Sequence, residues 1–105
     1  ILTPASDETF INYEGCLSVP NLRGQVRRHC EVHVEALDRE GNSISTVVKG
    51  MTAATYQHEV DHLDGRIFLD RVEDPNSVVT LENFQRYCID KVAADVEALV
   101  KRYGS

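Results

Sequence analysis

MTAATYQHEVDHL, residues 51–63, contains neither Gly nor Pro and is closely followed by Gly65. Those are the residues that break helices, and a Gly just past the last turn adopts the left-handed conformation that stops one. The stretch therefore predicts a helix of about three to four turns. Met51, Ala53, Ala54 and Val60 leave little of it reliably polar, so burial of most of the helix is expected. Within it, His58-Glu59-Val60-Asp61-His62 has the HExxH spacing. Residues i and i+4 of a helix share one face about 6 Å apart, so two imidazoles can grip a single ion. Glu59, one residue past the first of them, has its carboxylate beside a water held by such an ion, which is a general base's position. The bland alternative is a chance meeting on a solvated helix face. Against it, two of the chain's four histidines fall in this one pattern.

Upstream of the helix, Cys30, Val32, Val34 and Ala36 alternate with Glu31, His33 and Glu35, the pattern of a strand with one wet face. Asp38-Arg39-Glu40-Gly41-Asn42 supplies a turn, and Ile44, Thr46 and Val48 repeat the alternation, so a hairpin is expected. Residues 5–13 read as polar and turn-rich, and Pro20, Asn21 and Gly24 as a loop. Downstream, Ile67-Phe68-Leu69 leads into an Asp74-Pro75-Asn76 turn. Leu81, Phe84, Cys88, Val92, Val96, Leu99 and Tyr103 then recur three or four apart, predicting a second helix over 80–103. Thr80 suits its N-cap, Glu82 its first turn, Lys101 and Arg102 its last turn, and Gly104 its stop. The fold class is α+β: antiparallel strands around a central metal-binding helix, with a C-terminal helix packed outside.

With 105 residues the chain is one domain at most, and 42% hydrophobic with 27% charged residues is ordinary globular composition. Seventeen acids against eleven bases, a net charge of −6, give no footprint for DNA or an anionic membrane. No apolar run approaches the roughly 18 residues of a spanning helix. Three cysteines at irregular spacing do not form a secreted disulfide framework, so a reducing compartment is expected, with Cys30 and Cys88 as small buried hydrophobes.

A metal site on the HExxH helix needs a third protein ligand, with the fourth position open if the site is catalytic. The metzincin pattern HExxHxxGxxH matches as far as Gly65 but has Phe68 where its third histidine belongs. A thermolysin-type glutamate on a later helix is open to Glu82, whose first-turn position also suits it to the helix dipole. Cys16, preceded by Gly15 and followed by Leu17 and Ser18, is the other candidate.

Glu14-Gly15-Cys16-Leu17-Ser18 together with Gln57-His58-Glu59-Val60-Asp61-His62-Leu63-Asp64-Gly65 closely resembles the two C-terminal signature motifs of peptide deformylase. The resemblance implies hydrolysis of the N-formyl group from formyl-methionyl nascent peptides, releasing formate. It implies metal ligands Cys16, His58 and His62, with Glu59 as general acid/base. The ion would be divalent, Fe2+ by the family's habit, with Zn2+ or Ni2+ as substitutes, and a thiolate ligand suits such ions. The Leu17 amide would donate to the developing oxyanion, an extended substrate would pair near Gly15, and Ala54 and Thr55 would face the methionine pocket. The enzyme would be soluble, in a bacterial cytoplasm or an organelle.

The family's first motif, a glycine-rich segment ending in a glutamine, does not occur among these residues. Residues 1–105 are thus expected to be the C-terminal portion of one catalytic domain, truncated or cleaved ahead of Ile1, and to be inactive or barely active in isolation. In the family the last helix docks on the ribosome when it is basic. Here Arg86, Lys91, Lys101 and Arg102 are balanced by Glu82, Asp90, Asp95 and Glu97, which gives such docking no support. Two other readings remain open on the residues: a thermolysin-type peptidase using Glu82, and a non-enzyme, either an inactive paralogue or a fragment that keeps metal only as a structural staple.

Overall fold

The computed structural model describes residues 1–16 and 19–105. Strands β1 (Leu2–Pro4), β4 (Glu31–Leu37) and β5 (Ser43–Lys49) form one antiparallel sheet in the order β1-β4-β5. Strands β2 (Thr9–Cys16), β3 (Val19–His29) and β6 (Val79–Thr80) form a second, in the order β2-β3-β6. The expected hairpin is present, with Val32 opposite Val48 and Val34 opposite Thr46. Val32 and Val34 point to one side, where they pack with Ala53 of helix α1 (Gly50–Leu63).

Three sequence expectations are corrected. Residues 9–16 and 19–29 are paired strands, not turn and loop, although Asn21 takes a positive φ of 67° within β3. Ladder hydrogen bonds with a long partner strand override the turn preference of isolated Asn, Pro and Gly. Helix α1 is buried along one stripe only, at Gly50, Ala53, Ala54 and Asp61, while Leu63 is 86% exposed. The C-terminal helical run is not one regular helix either. It comprises α2 (Leu81–Asn83), a π-helical segment Phe84–Cys88 and α3 (Ile89–Tyr103). A π segment shifts the phase of all that follows, and no residue of α3 is fully buried. Cys30 is buried as expected, but Cys88 only partly so.

The caps follow the sequence. The Thr80 side chain accepts from the Asn83 amide at 3.2 Å, and Gly104, at φ 76°, ends α3 with its amide donating to Val100. Replacing Thr80 by Ala should cost about 1 kcal/mol, measurable by urea denaturation, since the cap satisfies one otherwise unpaired amide. Helix α1 is capped differently. Lys49 provides no side-chain cap and the first turn has no acid. Instead the Met51 amide donates to the Ser105 carbonyl at 3.2 Å, and the Ser105 and Thr52 hydroxyls meet. Gly50, at φ 61°, lies so close to Ser105 that a Cβ there would collide with it. Arg102 and Tyr103 bond Glu8, tying the same end of α3 to the approach of β2.

Candidate metal centre

The last two turns of α1 present His58 and His62 on one face, and Cys16 ends β2 beside them. One ligand atom from each of the three lies within 4.8 Å of the others, and among the described residues no other group of His, Cys, Asp or Glu converges this way. The two Nε2 atoms face each other at 3.0 Å. Ligands on a tetrahedral ion at metal–nitrogen distances near 2.0–2.1 Å would sit about 3.3 Å apart. The cluster thus has the size and donor chemistry for one ion.

The tautomer of His58 supports the same conclusion. Its Nδ1 lies 3.0 Å from Glu14 Oε1, and a carboxylate can only accept, so Nδ1 carries a proton and in the neutral ring Nε2 keeps its lone pair toward the cluster. This is the carboxylate–histidine arrangement that orients metal-binding imidazoles. Glu14 is in turn held on both oxygens by Arg28, Nε to Oε2 at 2.7 Å and Nη2 to Oε1 at 2.6 Å. Arg28 Nη1 reaches Asp61 Oδ2 at 2.8 Å, and Arg71 takes both Asp61 oxygens at 3.0 and 3.2 Å. Glu14, Arg28 and Asp61 are exposed by 6, 4 and 7%, so this is a buried ion-pair network. Burial pushes the Glu14 carboxyl up, but the hydrogen bonds from Arg28, His58 and Asn12 outweigh it and hold it below the ordinary carboxylate range. Burial acts the same way on Asp61 and is outweighed by Arg71 and Arg28.

A pocket of about 280 Å³ adjoins His58, lined by Gly15, Ala54, Thr55 and Glu59 among others. Five expected site residues, His58 included, therefore share one cavity. Glu59 is exposed. Ala54 is buried, and Thr55 donates its hydroxyl back to the Met51 carbonyl at 3.1 Å. Arg23 lies so close to Gly15 that a Cβ there would meet its guanidinium. Leu17 lies outside the described residues. Glu82, the alternative ligand, is not in the cluster and faces Arg86 at 3.9 Å.

The network behind His58 is not among the sequence expectations. Its signal was present: Arg28 falls in the inward phase of Gly24 and Val26 on β3, and all three are buried, as is Cys30 just past the strand. A charged residue in a buried phase requires partners, and Glu14 and Asp61 are those partners. Gln57, which also had no assigned role, fixes α1 to β3 by accepting from the His29 amide and donating to the His29 carbonyl, both at 2.9 Å.

The profile of the family described as polypeptide deformylase matches residues 1–78. The chain belongs to that family. It is 46% identical over 80 residues to "Peptide deformylase 2" of Nostoc sp., an alignment covering 76% of this chain and 45% of the relative. It is similar in structure to a class I type b peptide deformylase of Acinetobacter baumannii bound to Met-Ala-Ser (TM-score 0.63, 44% identity), over 68% of this chain and 46% of that one. The peptide deformylase of Plasmodium falciparum, solved with an inhibitor, matches over 96% of this chain and 58% of its own (TM-score 0.69, 27% identity), so the likeness extends through the C-terminal helix. The chain spans less than half the length of the curated deformylases it matches. The α+β architecture expected from the sequence is that of these deformylases.

Proposed function

We propose that this chain carries the metal-binding portion of a hydrolase that removes the formyl group from the N-terminal formylmethionine of nascent polypeptides. The observation that carries the reading is the convergence of Cys16, His58 and His62, with Glu59 in the pocket beside them, in a chain of the deformylase family. Residues 1–105 act here as the C-terminal portion of one catalytic domain. A divalent ion on the three ligands, ferrous iron or zinc or nickel in its place, would lower the pKa of water and polarise the formyl oxygen.

The remaining steps belong to the chain's own side chains. Glu59 takes the proton from the attacking water and returns one to the departing methionine amine. The Gly15 backbone aligns an extended peptide, and the Leu17 amide donates to the oxygen on which charge develops. Ala54 and Thr55 bound the space for the methionine side chain. Glu14 keeps His58 in the tautomer that leaves Nε2 unprotonated. Among the described residues no helix is long and apolar enough to cross a membrane, and the substrate sets the location: a bacterial cytoplasm or an organelle that makes formylated chains.

The test is release of formate from a formyl-methionyl peptide by the iron-loaded chain, alone and combined with the N-terminal half of a deformylase such as that of Nostoc. Little turnover is expected from the chain alone, because one oxyanion donor is typically worth about 10² to 10³ in kcat. Turnover should appear on combination and vanish with Glu59→Ala. No formate from any combination, with metal bound, would sink the reading. Ferrous protein should also lose activity in air or peroxide faster than zinc-loaded protein, since both the iron and the coordinating thiolate oxidise. Equal lifetimes would count against iron.

A further inference from the structure

Two buried carboxylates, Glu14 and Asp61, compete for one buried guanidinium, Arg28. Left alone, that trio would be an acid in excess next to His58. The second cation comes from outside both the HExxH motif and the strands. Arg71 ends a short 3-10 turn (Phe68–Arg71) whose first residue is buried at 1% exposure and whose Asp70 side chain accepts from the Ile67 amide at 2.9 Å. Thus anchored, Arg71 sends Nη2 to Asp61 Oδ1 and Nε to Asp61 Oδ2. A forked guanidinium–carboxylate pair of this kind fixes orientation as well as charge.

We propose that Arg71 is a positioning residue for the metal centre. By satisfying Asp61 it frees Arg28 to hold both oxygens of Glu14, and Glu14 then holds His58 with Nε2 toward the ion. The order of action is Arg71, Asp61, Arg28, Glu14, His58, each link a hydrogen bond of 3.2 Å or less. Without Arg71, Asp61 draws on Arg28 and the Glu14–His58 bond slackens. The inference rests on the proposed ligand set, so its test must separate the two.

Arg71 is 41% exposed on its side chain, which makes its replacement compatible with folding. Cobalt(II) alone serves as the probe, since its visible spectrum reports both thiolate ligation and ligand geometry. Arg71→Met should weaken cobalt affinity about tenfold, the lower end of the 10–100-fold seen when outer partners of metal-bound histidines are removed, and should shift the visible bands. Arg71→Lys restores charge without the fork and should recover part of the affinity but not the band positions. Arg27→Met, which removes another solvent-facing arginine, 51% exposed and paired with Glu73 at 2.9 Å, should change neither. A residue that merely braces the fold would lower thermal stability of the metal-free protein and leave the cobalt bands where they are. Unmoved bands and affinity in Arg71→Met would overturn the role of Arg71 alone. A cobalt spectrum without a thiolate band in the unsubstituted protein, or one indifferent to Cys16→Ser, would overturn the ligand set and Arg71 with it.

Discussion

Cys16→Ser protein should lose its metal, whereas Glu59→Ala protein should keep it and lose turnover by about 10² to 10⁴. Cys16 places its sulfur in the three-ligand cluster, and a serine hydroxyl at that position is a far poorer ligand for a borderline ion than a thiolate. Glu59 lines the pocket next to His58 and is not one of the converging ligands. Its loss should remove proton transfer and leave the ligand geometry intact. Metal content by elemental analysis, paired with formate release by the combined chain, separates these effects. Unchanged turnover in Glu59→Ala would remove the acid/base role, and full metal occupancy in Cys16→Ser would remove the ligand role.

The second large effect concerns the network behind His58. Arg28→Met leaves Glu14 and Asp61 facing each other in a buried site with only Arg71 at the outer edge. Breaking a buried ion pair by deleting one partner costs about 3–5 kcal/mol, because the surviving charge is stranded away from water. The loss should appear as a lower urea midpoint. Replacing all three of Glu14, Arg28 and Asp61 with apolar residues of similar volume should return most of that stability, since such replacements are often neutral or better. It should not return metal affinity, because His58 would then have no carboxylate on Nδ1. Recovery of both would mean the network serves packing alone. Recovery of stability without metal would show that its purpose is to orient His58.

The fold and site were legible in the sequence to different depths. The β4–β5 hairpin, the extent of α1, the Thr80 cap and the Gly104 stop all appear where period and punctuation put them. These are local features, encoded within a few residues. The hairpin partner of Thr9–Cys16 was not legible, because pairing with Val19–His29 is decided by the whole ladder rather than by Pro20 or Asn21 singly. The π-helical segment at Phe84–Cys88 also escaped, since an apolar stripe spaced by three or four does not reveal one extra residue per turn. In the site, His58 and His62 could be named because the i, i+4 spacing on a helix is itself a requirement for gripping one ion, whereas Cys16 stood beside Glu82 as a candidate until the family resemblance singled it out. Arg28 and Arg71 could not, because their meaning lies in a partner thirty-three residues away in one case and ten in the other. Only the inward phase of Arg28 hinted that a buried charge awaited a counterion.

The seal that Ser105 places on the start of α1 gives the centre a schedule. Ribosomes deliver the chain from the amino end, so His58 and His62 emerge while the residue that closes their helix is still unmade. Thr52 and Ser105 are separated by fifty-three positions. At about 5–20 residues per second, that gap lasts roughly three to ten seconds. During that interval the Met51 amide can only be solvated by water, and the helix bearing both imidazoles has a frayed leading turn. The bond from Met51 to Ser105 forms only once translation has reached Ser105, so the ion meets its settled binding helix well after both imidazoles have been made.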